Sequence, residues 1–148
     1  MSRKINLKGE KDVEKIDILL ATYNGARFLR EQLDSILNQT YKDFEFIIIN
    51  DGSTDDTANI IKKYADQDKR IRFIDNHENR GFIARLNDCL DLARGKYVAK
   101  MDSDDISLPE RCEKQLKMFE ADPELDIVGC PVKEFKDDPA HIVGVRDV

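Results

Sequence analysis

The chain has 148 residues, 41% of them hydrophobic and 36% charged, with a formal net charge of -6. That length and balance suit one soluble globular domain with a real core, and the acidic excess argues against a general nucleic-acid binder, which needs a positive surface to displace counterions from phosphates. Three scattered cysteines, Cys89, Cys112 and Cys130, with no Cys-x-x-Cys pair and no His-rich tract, argue against a zinc site and fit a reducing cytoplasm.

Residues 1–15, dominated by Lys and Glu, read as a polar leader and lack the apolar stretch of a signal peptide. No later stretch approaches the roughly 20 apolar residues of a membrane span. The expected location is cytoplasmic, with any link to the inner face of a membrane supplied peripherally by a neighbouring segment.

From Ile16 the pattern changes to a buried strand, Ile16 to Thr22, which ends in the turn signal Tyr23-Asn24-Gly25. A helix should follow, its apolar stripe formed by Phe28, Leu29, Leu33, Ile36 and Leu37. Phe44 to Asn50 is a second strand, apolar at successive positions as in a parallel sheet covered on both faces. Ser53 and Asp56 then have capping-box spacing for a helix with Ala58, Ile61, Tyr64 and Ala65 inward.

Ile71 to Asp75 is the third strand, and a helix beginning near Gly81 should bury Ile83, Leu86, Leu90 and Ala93. Tyr97 to Met101 is the fourth strand, followed at once by Asp102-Ser103-Asp104-Asp105. Ser107 and Glu110 form another capping-box signal, for a helix from Leu108 to about Glu120 with Leu108, Cys112, Leu116 and Phe119 inward. Asp126 to Cys130 reads as strand-like, and after Pro131 no final helix or strand is evident. The alternation of strand and helix defines an α/β fold, a mostly parallel sheet with helices on both faces and right-handed crossovers.

Ligands of open parallel sheets bind beyond the carboxyl ends of the strands. Strand one delivers Ala21-Thr22-Tyr23-Asn24-Gly25 there, strand two Asn50-Asp51-Gly52-Ser53-Thr54-Asp55, and strand four the Asp102 to Asp105 cluster. Carboxylates so close in sequence repel one another unless a cation intervenes. Mn²⁺ or Mg²⁺ suits hard oxygen donors and is commonly held by one or two carboxylates plus substrate phosphates. The ordinary alternative is a solvated loop that caps the next helix.

Asp51 offers a carboxylate to an N–H of a nucleobase, although Asp-Gly is also an ordinary turn. Arg85, one turn into its helix, is a candidate for contacting a base or phosphate, against the usual helix arginine that solvates a surface. Asn79 and Gly81 would shape the loop beside the base, again with a simple turn as the alternative. His77 and His141 lack partners at metal-ligand spacing, and Cys89 and Cys112 read as small core residues. No Gly-x-Gly-x-x-Gly stretch or phosphate loop is present.

The stretches Ala21 to Gly25, Asn50 to Asp55, Asn79 to Gly81, Ala84 to Asn87, Gly95 to Tyr97 and Met101 to Asp105, in this order, resemble the inverting family 2 glycosyltransferases. The resemblance implies the GT-A fold and a nucleotide-sugar site made of Ala21, Thr22, Tyr23, Asn24, Asp51, Asn79, Gly81, Arg85, Asp102, Ser103 and Asp104. It implies that Thr22 and Tyr23 border a uracil-type base that Asp51 reads, and that Asp102 and Asp104 serve ribose, metal and diphosphate.

Residues 16–132 would then be the nucleotide-sugar-binding domain, and 133–148 the start of an acceptor-binding part that is cut short. The implied activity is transfer of a sugar from a UDP-sugar to a saccharide or lipid-linked acceptor with inversion, in polysaccharide, lipopolysaccharide or glycoconjugate synthesis. Family members supply the catalytic base from an acidic motif, often Glu-Asp, well beyond the Asp-x-Asp element. No such pair follows Asp105, and Glu134, Asp137 and Asp138 come too early. Two other classes stay open on the residues alone: a non-catalytic nucleotide-binding module and a metal-dependent phosphohydrolase.

Overall fold

The computed structural model describes residues 16–146, so the polar leader expected at 1–15 lies outside the described residues. The elements are β1 (Ile16–Thr22), α1 (Ala26–Leu37), β2 (Phe44–Asp51), α2 (Thr57–Gln67), β3 (Ile71–Asn76), α3 (Phe82–Leu92), β4 (Tyr97–Met101), α4 (Arg111–Ala121), β5 (Val132–Phe135) and β6 (Ile142–Arg146). They fall into two compact units, 16–24 with 43–102 and 25–42 with 103–146.

The first unit is a four-stranded parallel sheet in the order β3-β2-β1-β4. β1 and β2 are its inner strands, and their mainly apolar sequences follow from burial on both faces. The registers Thr22 with Asn50, Asp51 with Asn76 and Leu20 with Met101 bring all four carboxyl ends to one edge. The order reverses at β1, which places the switch point between the ends of β1 and β4, where ligand crevices form in such sheets. The buried Asp17 carboxylate accepts the Arg94 and Gly95 N–H groups and so ties down the connection into β4.

α3 packs on β1 and β2, with Cys89 joining Leu19, Ile47 and Ile49 in a buried cluster that Leu86, Leu92 and Ala93 border. This corrects the expected stripe. Ile83 is 75% exposed and Leu90 is also exposed, while Arg85 and Cys89 face inward. The helix is turned because Arg85 pairs with a buried carboxylate, and an ion pair taken out of water holds its geometry more strictly than a leucine holds its contacts. The second helix is corrected as well: it starts at Thr57, and Ser53 engages loop groups, so no capping box forms.

In the second unit α1 buries Leu29, Gln32, Leu33 and Ile36; Phe28, expected inward, is exposed beneath the Arg27 guanidinium. Gln39, fully buried, donates from Nε2 to Ser35 O, Ser107 Oγ and Leu108 O and accepts Cys112 N–H at Oε1. Ser107 is thereby held by side chains and does not cap α4, which begins at Arg111 and leaves Leu108 exposed. The strand expected at 126–130 is absent, and Ile127 is 86% exposed. Chain pairing comes later, as the antiparallel hairpin of β5 and β6, where no final strand was evident from sequence. No described helix is long and apolar enough to cross a membrane.

Candidate functional site: a pocket at the sheet edge

A pocket of ≈ 260 Å³ opens at the carboxyl edge of the first unit. The end of β1 contributes Ala21, Thr22 and Tyr23, the end of β2 contributes Asp51, and the connection into α3 contributes Asn79, Gly81 and Phe82. Six of these were candidates from sequence. Phe82 was not, and its only signal was an exposed aromatic at a helix start, off the apolar stripe.

Asp51 is the most constrained of them. Its Oδ1 accepts the Arg80 N–H at 2.8 Å and Arg85 Nε at 2.7 Å, and its Oδ2 accepts the Gly81 N–H at 2.9 Å. Arg85 also donates to Glu78 O at 2.6 Å and to Asp88 at 3.0 Å. Asp51 and Arg85 are only 3% and 4% exposed. Burial alone would raise the Asp51 pKa, but the two backbone N–H groups and the Arg85 guanidinium together outweigh it and hold the carboxyl below the usual carboxylate range. Arg85 is raised by the same Asp51 partner against its own desolvation.

The loops around the pocket are tied by short polar side chains. Asn24, at φ 50, donates its N–H to Ser53 Oγ and accepts Thr54 and Asp55 N–H at Oδ1, so it staples the β1 and β2 ends. Asn50 Oδ1 accepts from Ser53, and its amide donates to Asp75. Gly52, at φ 71, passes so close to the Asn79 backbone that a Cβ there would lie 2.9 Å from Asn79 N. The hydroxyl of buried Thr22 has no hydrogen-bond partner among the described residues.

Asp102, just after β4, has both carboxylate oxygens on Lys100 Nζ, at 2.8 and 2.7 Å. Ser103 and Asp104 follow in a turn that belongs to the second unit, and Asp104 is exposed. No three His, Cys, Asp or Glu side chains converge on a metal position among the described residues. One or two carboxylates completed by a phosphate and water are a donor set that Mg²⁺ and Mn²⁺ accept. His77 and His141 are exposed, and burial pushes the Cys89 thiol up to about 11 and raises that of Cys112.

The sheet order and an edge pocket built around a buried aspartate define an α/β fold of the GT-A type. Residues 17–143 match the family model described as Glycosyl transferase family 2, and the chain belongs to that family. It is 44% identical over 140 residues to an uncharacterized glycosyltransferase of Methanocaldococcus jannaschii, an alignment covering 86% of this chain and 48% of the relative. Among solved structures, the mannosyltransferase PcManGT of Pyrobaculum calidifontis, in complex with GDP-Man and Mn²⁺, superposes with a TM-score of 0.73 at 28% identity, covering 80% of this chain and 35% of that one. TarS 1-349 of S. aureus, in complex with UDP-GlcNAc, gives 0.70 at 25% identity, with 83% and 38% covered. The chain thus spans about half, or less, of the length of these proteins.

Proposed function

We propose that the chain carries the donor site of a glycosyltransferase, with residues 16–132 holding a nucleoside diphosphate sugar and 133–148 beginning the part that meets an acceptor. The observation that carries this reading is Asp51, an ionised, buried carboxylate that opens into the pocket. Its three hydrogen bonds use Oδ1 twice and Oδ2 once. A carboxylate has about four acceptor positions, so Oδ2 retains capacity for the N–H of a base. Thr22 Oγ adds a second polar group, and the exposed ring of Tyr23 offers a stacking face.

Ala21 and Gly81 leave room for the base, Asn79 completes its loop, and Asn24 and Arg85 act by holding the loop ends and Asp51. The base is uracil by family resemblance; the solved neighbours carry UDP, UDP-GlcNAc and GDP-Man. Asp102, Ser103 and Asp104 serve ribose and diphosphate, and the carboxylates of Asp102 and Asp104 hold Mn²⁺ or Mg²⁺. When bound, the ion neutralises charge developing on the departing nucleoside diphosphate. Transfer to an acceptor hydroxyl then proceeds with inversion, assisted by a carboxylate base. Glu134 pairs with Arg146 and Asp138 accepts the Ala140 N–H, so both are engaged in the hairpin, and no residue of this chain is assigned as that base.

Calorimetric titration of UDP and GDP, with and without Mn²⁺, tests the reading. UDP should bind, more tightly with Mn²⁺; Asp104→Asn should remove the gain from the ion, and Asp51→Ala should weaken nucleotide binding about tenfold or more in either condition. Tight binding indifferent to Mn²⁺ and to both changes would overturn the donor site. Preference for GDP would overturn only the uracil assignment.

A further inference from the structure

The positive charge that faces Asp102 is supplied by the chain itself. Lys100 lies on β4, the edge strand of the first unit, and its ammonium contacts both Asp102 oxygens. The same ammonium sits 5.5 Å from the centroid of the Phe82 ring, a wall of the pocket. A half-exposed lysine is ordinarily free to sample water, and a charge on the flat face of an aromatic ring is a weakly attractive position. Here two features aim it at one place, between the base pocket and the carboxylate assigned to the ion.

We propose that Lys100 is a resident counter-cation at Asp102 that a divalent ion must displace, so that the ion binds weakly to the free protein and is completed by the donor. This rests on the reading of Asp102 as an ion ligand given above. An ion taking Asp102 meets a carboxylate whose two oxygens are engaged and an ammonium a few ångströms away. The donor reverses that balance, because its diphosphate brings anionic oxygens to the ion and offers the released ammonium a new partner. Ion and donor are then expected to bind with positive coupling, each strengthening the other by the same factor.

The test is a titration of the folded chain with Mn²⁺, followed by electron paramagnetic resonance of the free ion, without nucleotide. Lys100→Met should bind Mn²⁺ about 3- to 10-fold more tightly than wild type, a range set by Coulomb repulsion discounted for solvent exposure and salt. Lys100→Arg, which keeps the charge, should stay within about twofold of wild type by the same electrostatic argument. At saturating UDP the advantage of Lys100→Met should shrink or reverse.

No gain in Lys100→Met overturns the proposal, including the case in which neither protein binds the ion alone. If wild type then still binds Mn²⁺ with UDP in an Asp102-dependent way, the donor-site reading survives that loss. If Mn²⁺ is bound neither with UDP nor without it, the reading of Asp102 and the proposal fall together. A lysine with only a structural role would lower the thermal midpoint and leave the Mn²⁺ affinity where it was.

Discussion

Asp51 and Arg85 are the residues on which stability and binding meet. Breaking a buried pair leaves one charge uncompensated, at a cost of about 3–5 kcal/mol, and the low end applies here because Arg85 keeps Asp88 and Glu78 O. Asp51→Asn should therefore lower urea stability by about 3 kcal/mol at pH 7. The Asp51 carboxyl has a lower pKa folded than unfolded, so its contribution is complete above the unfolded value and is lost as pH falls through the folded one. The gap between wild type and Asp51→Asn should hold from pH 7 to about pH 4 and narrow below it; a gap that widens in acid would contradict the assignment.

Gln32 is the opposite case. It is fully buried on α1, and neither end of its amide has a partner among the described residues. Replacing it with methionine keeps the volume and removes the unmet polar groups, so Gln32→Met should raise stability by about 1–2 kcal/mol. Equilibrium urea unfolding would show this, and a destabilised variant would mean that the amide has a function to serve.

At the scale of elements, the pocket depends on two connections whose backbone favours glycine. At Gly52 a Cβ would collide with the backbone of Glu78 and Asn79, whereas at Gly81 nothing lies within 4 Å of it. Both have positive φ, so alanine is strained at either place by about 1–3 kcal/mol. Gly52→Ala carries the collision in addition and should be the more damaging in thermal unfolding. It should also weaken nucleotide binding, because relief of the clash moves the Asn79 loop out of the pocket wall. Equal effects of the two substitutions would show that the loops can part without consequence.

Several elements were legible in the sequence for a physical reason. A strand buried on both faces is apolar at successive positions, so β1 and β2 stand out by Ile18–Ala21 and Phe46–Ile49. Helix faces were less legible. α3 is rotated by one buried arginine, and apolar spacing carries no information about an ion pair formed across 34 positions. Ser53 and Ser107 had the spacing of caps, but their hydroxyls accept from Asn24 N–H and Gln39 Nε2, partners that only the folded chain brings near. The hairpin of β5 and β6 was missed because its exposed strands show no clean alternation of apolar and polar positions.

For the molecule as a whole, the three cysteines report on integrity. Cys89 and Cys112 are buried with raised pKa values, and Cys130 is partly exposed. A thiolate-selective reagent near pH 7.5 should label Cys130 in the native protein, and the other two should react only as the chain unfolds. Mass-resolved labelling against urea would then give two separate transitions if the two units unfold independently and one if they do not, since Cys89 lies in the first and Cys112 in the second.

By itself the sequence determined the alternation of strands and helices, the family, and the residues delivered to the carboxyl edge, because apolar periodicity and local turn chemistry are written in neighbouring positions. Only the tertiary structure decided what those residues do to one another. Asp51 is locked by Arg80, Gly81 and Arg85, Asn24 is a staple between two loops, Phe82 is a pocket wall, and Lys100 covers Asp102. Hydrogen bonds and ion pairs between segments depend on sheet order and register, and these are settled by packing the whole first unit, not by any stretch of it.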